Sequence, residues 1–398
     1  GCHTVKGGKP FAGGKAVNSP LGKIYATNIT PDPQKGIGAY TLSDFERVMR
    51  EGIRRDGAHL YPAMPYASFT AMTDGDVRAL YAYLMHDVAP VAESPPQTAL
   101  PFPFDQRWGL VFWNAAFKRQ TEFVSNPERD TVWNRGAYLV RTLGHCGSCH
   151  TARGLAYQEL GYDEKSDAFL SGGVVDLWFA PPLRGDAGDG LGRWREADIV
   201  DFLKTGHGGG GAAFGSMREV IEDSTQHFTV SDLQAVAVYL KALAPTGDKP
   251  AFQLTPDAPG DERAVVLPQR IERPGAGVYA SYCARCHGAQ GEGTAVHDTP
   301  SAGGSASDAA TNVRYPALAG NPAVLARNPL SVVRIVLEGG RTAQTATGPT
   351  PIAMPPFGGK LTAAQVSDVV SYVRGAWGNR ADPVSPAAVQ ALNEALAP

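Results

Sequence analysis

All five cysteines of this 398-residue chain fall in one short pattern that ends in histidine. Cys146-Gly147-Ser148-Cys149-His150 and Cys283-Ala284-Arg285-Cys286-His287 are complete C-x-x-C-H runs, and Gly1-Cys2-His3 carries the end of a third. Two thiols three positions apart share one helical turn and can add to the two vinyl groups of one porphyrin. The histidine directly after the second thiol then lies under the iron. The expected chemistry is covalent haem c, three times over. Cys2, Cys146, Cys149, Cys283 and Cys286 are the attachment points, and His3, His150 and His287 the proximal iron ligands. A zinc site or a redox dithiol uses a similar cysteine pair, but zinc needs four ligands and no second pair accompanies either run. Cys2 needs a partner upstream of Gly1. The sequence is therefore expected to start inside its first motif, with any export signal lying before it.

A methionine follows each histidine at a matched distance: His3 to Met64 is 61 residues, and His150 to Met217 and His287 to Met354 are both 67. These three methionines are the expected distal ligands, held in loops by the flanking residues of Tyr61-Pro62-Ala63-Met64-Pro65, Phe214-Gly215-Ser216-Met217 and Ala353-Met354-Pro355-Pro356-Phe357. A lone methionine ordinarily fills a core. That reading is kept for Met49 and Met72, while Met85 is placed just past the end of a helix. Histidine–methionine ligation leaves no open position on iron, so such a haem carries electrons and binds no substrate. Each proximal imidazole should donate its outer N–H to a carbonyl. The candidates are Pro181-Pro182-Leu183, Tyr315-Pro316-Ala317-Leu318 and, without the proline, Thr27-Asn28-Ile29. The other histidines, His145 included, are read as packing or surface groups.

The elements that position these residues repeat as well. Between histidine and methionine runs a helix with one apolar stripe and a closing glycine: Phe45, Val48, Met49 and Gly52; Ile199, Phe202, Leu203 and Gly206; Val332, Ile335, Val336 and Gly339. After each methionine, Thr73, Thr229 and Thr362 offer N-cap chemistry for a further helix. Gly136-Ala137-Tyr138-Leu139 and Gly277-Val278-Tyr279 precede the complete motifs and predict helices with a small residue at a close crossing. The fold class expected is all-α, with three tandem cytochrome c domains over 1–98, 125–245 and 270–382 and a short amphipathic tail over 383–398. Pro-rich spacers are expected over 89–105 and 244–275, and a mobile or partner-facing loop of small residues over 299–312.

Net charge is −3 and gives no sign of nucleic-acid binding. No apolar run reaches the roughly 18 residues that a membrane-spanning helix needs. Covalent haem c implies export, and hence a periplasmic location on the outer side of the bacterial inner membrane. The apolar run Trp108-Gly109-Leu110-Val111-Phe112-Trp113 either packs on its own domain or meets a partner subunit or membrane surface. No dinucleotide fingerprint or catalytic Ser/His/Asp set is present.

The longer segments Ala26-Thr27-Asn28-Ile29-Thr30-Pro31-Asp32, Gly190-Leu191-Gly192-Arg193-Trp194, Ser224-Thr225-Gln226, Met354-Pro355-Pro356-Phe357 and Trp377-Gly378-Asn379 give the chain a family likeness over nearly its whole length. It resembles the three-haem cytochrome c subunit of bacterial membrane-bound dehydrogenases for alcohols, aldehydes and sugars. The resemblance implies a separate catalytic subunit with a quinone (PQQ), flavin or molybdopterin cofactor, and room for a small third subunit. It also implies electron transfer through the haems to ubiquinone. A free-standing shuttle and a multihaem peroxidase are the alternatives; the peroxidase needs one iron with an open position.

Overall fold

The computed structural model describes residues 1–118, 122–246, 273–297 and 312–397. The spacer expected over 244–275 and the small-residue loop over 299–312 lie almost wholly outside the described residues. The chain is helix-rich, but all-α understates it. Five two-stranded antiparallel ribbons accompany the helices among the described residues. Long loops must pair their own backbone polar groups, and short ribbons do that without a large sheet. Two compact units emerge, Gly1–Phe169 and Leu170–Pro398.

In the first unit, helix Leu42–Glu51 ends on Gly52 in the left-handed conformation, φ 66°, as the stripe predicts. Helix Asp74–His86 starts on Thr73, whose hydroxyl accepts from the Asp76 amide. It runs on through Met85 to His86, further than the sequence suggests. Phe45, Met49, Met72, Val77 and Leu84 form the core between these helices. Helix Thr131–Tyr138 continues as a wider π turn over Leu139–Leu143, immediately before the Cys146 motif. Such turns are uncommon and frequently mark functional sites.

The Trp108 run splits its surface. Trp113 packs edge-on to Tyr66 and donates to the Ala156 carbonyl at 2.8 Å, and the neighbouring Asn114 accepts from the buried Tyr66 hydroxyl at 2.7 Å. Trp108, Val111 and Phe112 stay exposed, as do Phe102 and Phe104.

In the second unit, helix Glu196–Thr205 closes on Gly206 at φ 81°, and helix Val230–Lys241 starts on Thr229. Further on, helix Ala276–Tyr282 crosses helix Ala363–Gly375. The glycine that permits the close crossing is Gly275 and not Gly277. A Cβ on Gly275 would stand 2.1 Å from the Asp368 carbonyl oxygen, while one on Gly277 meets nothing within 4 Å. Tyr279, Tyr372 and Trp377 pack at tilted and edge-on angles at this crossing, with the Tyr279 and Trp377 ring centres 4.9 Å apart. The tail helix Pro386–Leu396 buries Val389 and Leu392 in the same core, so it docks on its own unit. Thr362 and Gln365 cap helix Ala363–Gly375 reciprocally. Thr362→Ala should cost about 1 kcal/mol, read as a lower urea midpoint with unchanged haem content.

Candidate cofactor sites

The third site is the most complete. One cavity gathers Cys283, Cys286, His287 and Met354 among apolar neighbours that include Leu318, Val332, Ile335, Val336 and Phe357. Its empty space is about 1180 Å³, open solvent included. The second thiol and the imidazole come from the short helix Ala284–His287, which Cys283 caps. His287 Nδ1 donates to the Pro316 carbonyl at 2.9 Å. That bond fixes the tautomer and leaves Nε2 with its lone pair for a metal. Burial holds the imidazole below its usual pKa, against the opposing pull of that carbonyl, so the neutral ring is favoured. Burial also pushes the Cys283 thiol up to about 11. A thiol held protonated in this way is a poor redox nucleophile.

The backbone brings Met354 into this cavity by capping a helix. Helix Leu330–Glu338 leaves its last carbonyls without helical partners. Gly339, Phe357 and Gly358 supply the missing N–H groups to Ile335, Val336 and Leu337 at 3.0, 2.9 and 3.0 Å. The strap Met354-Pro355-Pro356-Phe357 is thereby pinned across the helix end. Met354 pairs with Gly340 in a two-residue ribbon, not in the open loop its prolines suggest.

The first site repeats the anchor. His3 Nδ1 donates to the Thr27 carbonyl at 2.7 Å, and burial holds this imidazole low as well. The carbonyl thus comes from Thr27 although the local proline is missing. Met64, Phe11 and Ile29 pack on the core of this unit. In the second motif, burial pushes Cys146 up to about 12 and Cys149 to about 11, and His150 is buried. His150 belongs to the first compact unit and Met217 to the second. Met217 sits in the first turn of helix Gly215–Asp223, not in a loop, because Gly215 takes φ 57° and starts the helix. It packs with Phe202 on Ala213, Ile221 and Ala343. Met49 and Met72 are core residues, as their spacing suggests.

A latch missed at the level of sequence repeats three times. The loops around Thr27 and Pro316, which carry the carbonyl partners of His3 and His287, and the loop at Pro181-Pro182-Leu183 are each tied to the segment after the helix that starts on Thr73, Thr362 and Thr229 respectively. Asn28 donates to the Val91 and Glu93 carbonyls at 2.7 and 3.0 Å. Buried Arg184 donates to the Ala244 carbonyl at 2.8 Å. Buried Asn379 donates to Leu318 at 3.0 Å and accepts from the Gly320 amide at 2.8 Å. Asn28 and Arg184 lie on the loop side of the latch and Asn379 on the side after the helix, in unlike sequence contexts, so no motif search links them.

The cytochrome c family profile matches residues 273–377, the third site and its surrounding helices. Over its whole length the chain is 43% identical to the cytochrome c subunit of alcohol dehydrogenase (quinone) from Komagataeibacter europaeus, spanning 82% of that protein. Over 96% of its length it is 44% identical to the gluconate 2-dehydrogenase cytochrome c subunit of Pantoea cypripedii, spanning 83% of it. It is 35% identical to the fructose dehydrogenase cytochrome subunit of Gluconobacter japonicus, over 98% of this chain and 79% of that one. The chain belongs to this family of dehydrogenase cytochrome c subunits. In this cytochrome c subunit the domain at 273–377 supports covalent haem c. Its helices, caps and cavity wall are the parts that hold Cys283, Cys286 and His287 in place.

Proposed function

We propose that this chain is the electron-transfer subunit of a dehydrogenase complex. It would pass electrons from a catalytic subunit, of PQQ, flavin or molybdopterin type, through three c-type haems to membrane ubiquinone on the periplasmic side. Three tandem cytochrome c domains over 1–98, 125–245 and 270–382 would hold the haems. The cysteines are the attachment points, and His3/Met64, His150/Met217 and His287/Met354 are the iron ligands. The observation that carries this reading is the single apolar cavity shared by Cys283, Cys286, His287 and Met354. The imidazole–carbonyl anchor at His3 and the threefold latch support its extension to the rest of the chain. Haem c, held by the cysteines and by the histidine and methionine of each site, would supply one-electron chemistry. The protein's own part is to orient the imidazole, hold the thioether rigidly and keep water away.

Met217→Ala in the purified complex should change the ligation of one haem only and slow quinone reduction. Dye reduction at the catalytic subunit should stay largely intact. Loss of all three haem spectra would contradict the reading. Gel filtration of native material separates a subunit, which elutes with a larger chain, from a free shuttle, which elutes alone. Peroxide turnover by the isolated chain would instead favour the peroxidase.

No helix among the described residues is long and apolar enough to cross a membrane. The exposed Trp108, Val111 and Phe112, with Phe102 and Phe104 nearby in sequence, fit contact with a membrane surface. Replacing both Trp108 and Phe112 with Ser should lower co-sedimentation with liposomes about tenfold or more, since each buried aromatic contributes about 1–2 kcal/mol. Unchanged binding would exclude this patch.

A further inference from the structure

The methionine sides of the second and third sites are built as one piece. Met217 packs on a cluster that includes Ala343, and the adjoining Gly340, Arg341 and Thr342 line the cavity that holds Met354. Ala212 and Phe214, which lead into the Met217 helix, line that same cavity. One carboxylate joins the two halves. Glu222 lies on the Met217 helix with its side chain 15% exposed. It accepts from Arg218 Nη1 at 2.6 Å on its own helix. It also pairs with Arg341 at 2.9 Å and accepts from the Gln344 amide at 2.6 Å. Arg341 sits in the two-residue ribbon with Ala353–Met354. Gln226, in the family-like Ser224-Thr225-Gln226 segment, adds a second tie by accepting from the Ala346 amide at 3.1 Å.

We infer that Glu222 is a positioning residue shared by two metal ligands, holding Met217 and Met354 in register with each other. A charge-assisted, multiply bonded carboxylate between two backbones is among the stronger polar ties a protein makes. Loss of its acceptors frees the Met217 helix and the Arg341 ribbon together. The inference rests on the methionine ligation proposed above, and the test separates the two.

Proton NMR of the reduced holoprotein gives one upfield methyl resonance for each iron-bound methionine, assigned through Met64→Leu, Met217→Leu and Met354→Leu. Glu222→Ala should shift or broaden away the resonances of both Met217 and Met354 and leave that of Met64 unchanged, at full haem content. Glu222→Gln, which keeps the acceptor oxygen, should restore much of the pattern. Should Glu222→Ala fail to fold, Arg341→Ala removes a partly exposed side chain and should shift the same two resonances by less. A change at one resonance alone, or at none, overturns the shared role while methionine ligation stands. A wild-type protein without such resonances overturns both.

Discussion

Gly339→Ala should cost about 3 kcal/mol or more and strip the methionine from one haem. Two independent terms add. Gly339 holds φ 68° and ψ −167°, a conformation that side chains other than glycine adopt only at about 1–3 kcal/mol. A Cβ there would also stand 2.5 Å from the Met354 carbonyl oxygen and 2.7 Å from the Pro356 nitrogen. Both obstacles are backbone, so the strap must move as a whole. Moving it breaks the Phe357 and Gly358 caps on the helix carbonyls and withdraws Met354 from the cavity. The expected spectrum loses one share of the long-wavelength methionine–iron charge-transfer band, and its iron becomes open to an added ligand such as imidazole. An unchanged band, or a loss shared by all haems, would contradict the role given to the strap.

Arg374→Ala is expected to loosen the C-terminal core strongly. Arg374 is 1% exposed, yet it lies in a helix whose inner face is otherwise mostly valine. Its guanidinium donates to the Val324, Ala326 and Asp382 carbonyls at 2.6, 2.9 and 2.8 Å. Alanine leaves the buried Val324 and Ala326 carbonyls without those donors, loses the partly buried bond to Asp382 and opens a side-chain void, a cost of about 4 kcal/mol. Hydrogen exchange in helix Ala363–Gly375 should then quicken about a thousandfold, given about 1.4 kcal/mol per factor of ten. Arg374→Lys should recover only part of this, because an ammonium lacks the planar fork that reaches carbonyls on two sides.

Local chemistry was legible in the sequence where its cause is local. Thr73, Thr229 and Thr362 cap the helices that follow them, and Gly52 and Gly206 close the helices that precede them with left-handed backbones. The anchoring carbonyl at Pro316 could be read from its own segment. Met217 and Met354 sit in regular elements rather than loops, because flanking glycine and proline signal a break without specifying the element on its far side. Gly275, Arg374, Asn379 and Glu222 escaped for one reason. Their meaning lies in partners 48 to 122 residues away, which no window of sequence displays. The small ribbons escaped for a similar reason, since two-residue pairings leave no periodic trace.

Near-infrared magnetic circular dichroism of the fully oxidised holoprotein, with haem and polypeptide quantified on the same sample, tests the whole account most directly. The expected result is three equivalents per chain of the methionine–histidine ferric haem band. Fewer than three haems, a bis-histidine band, or a high-spin signal from an open iron would contradict it.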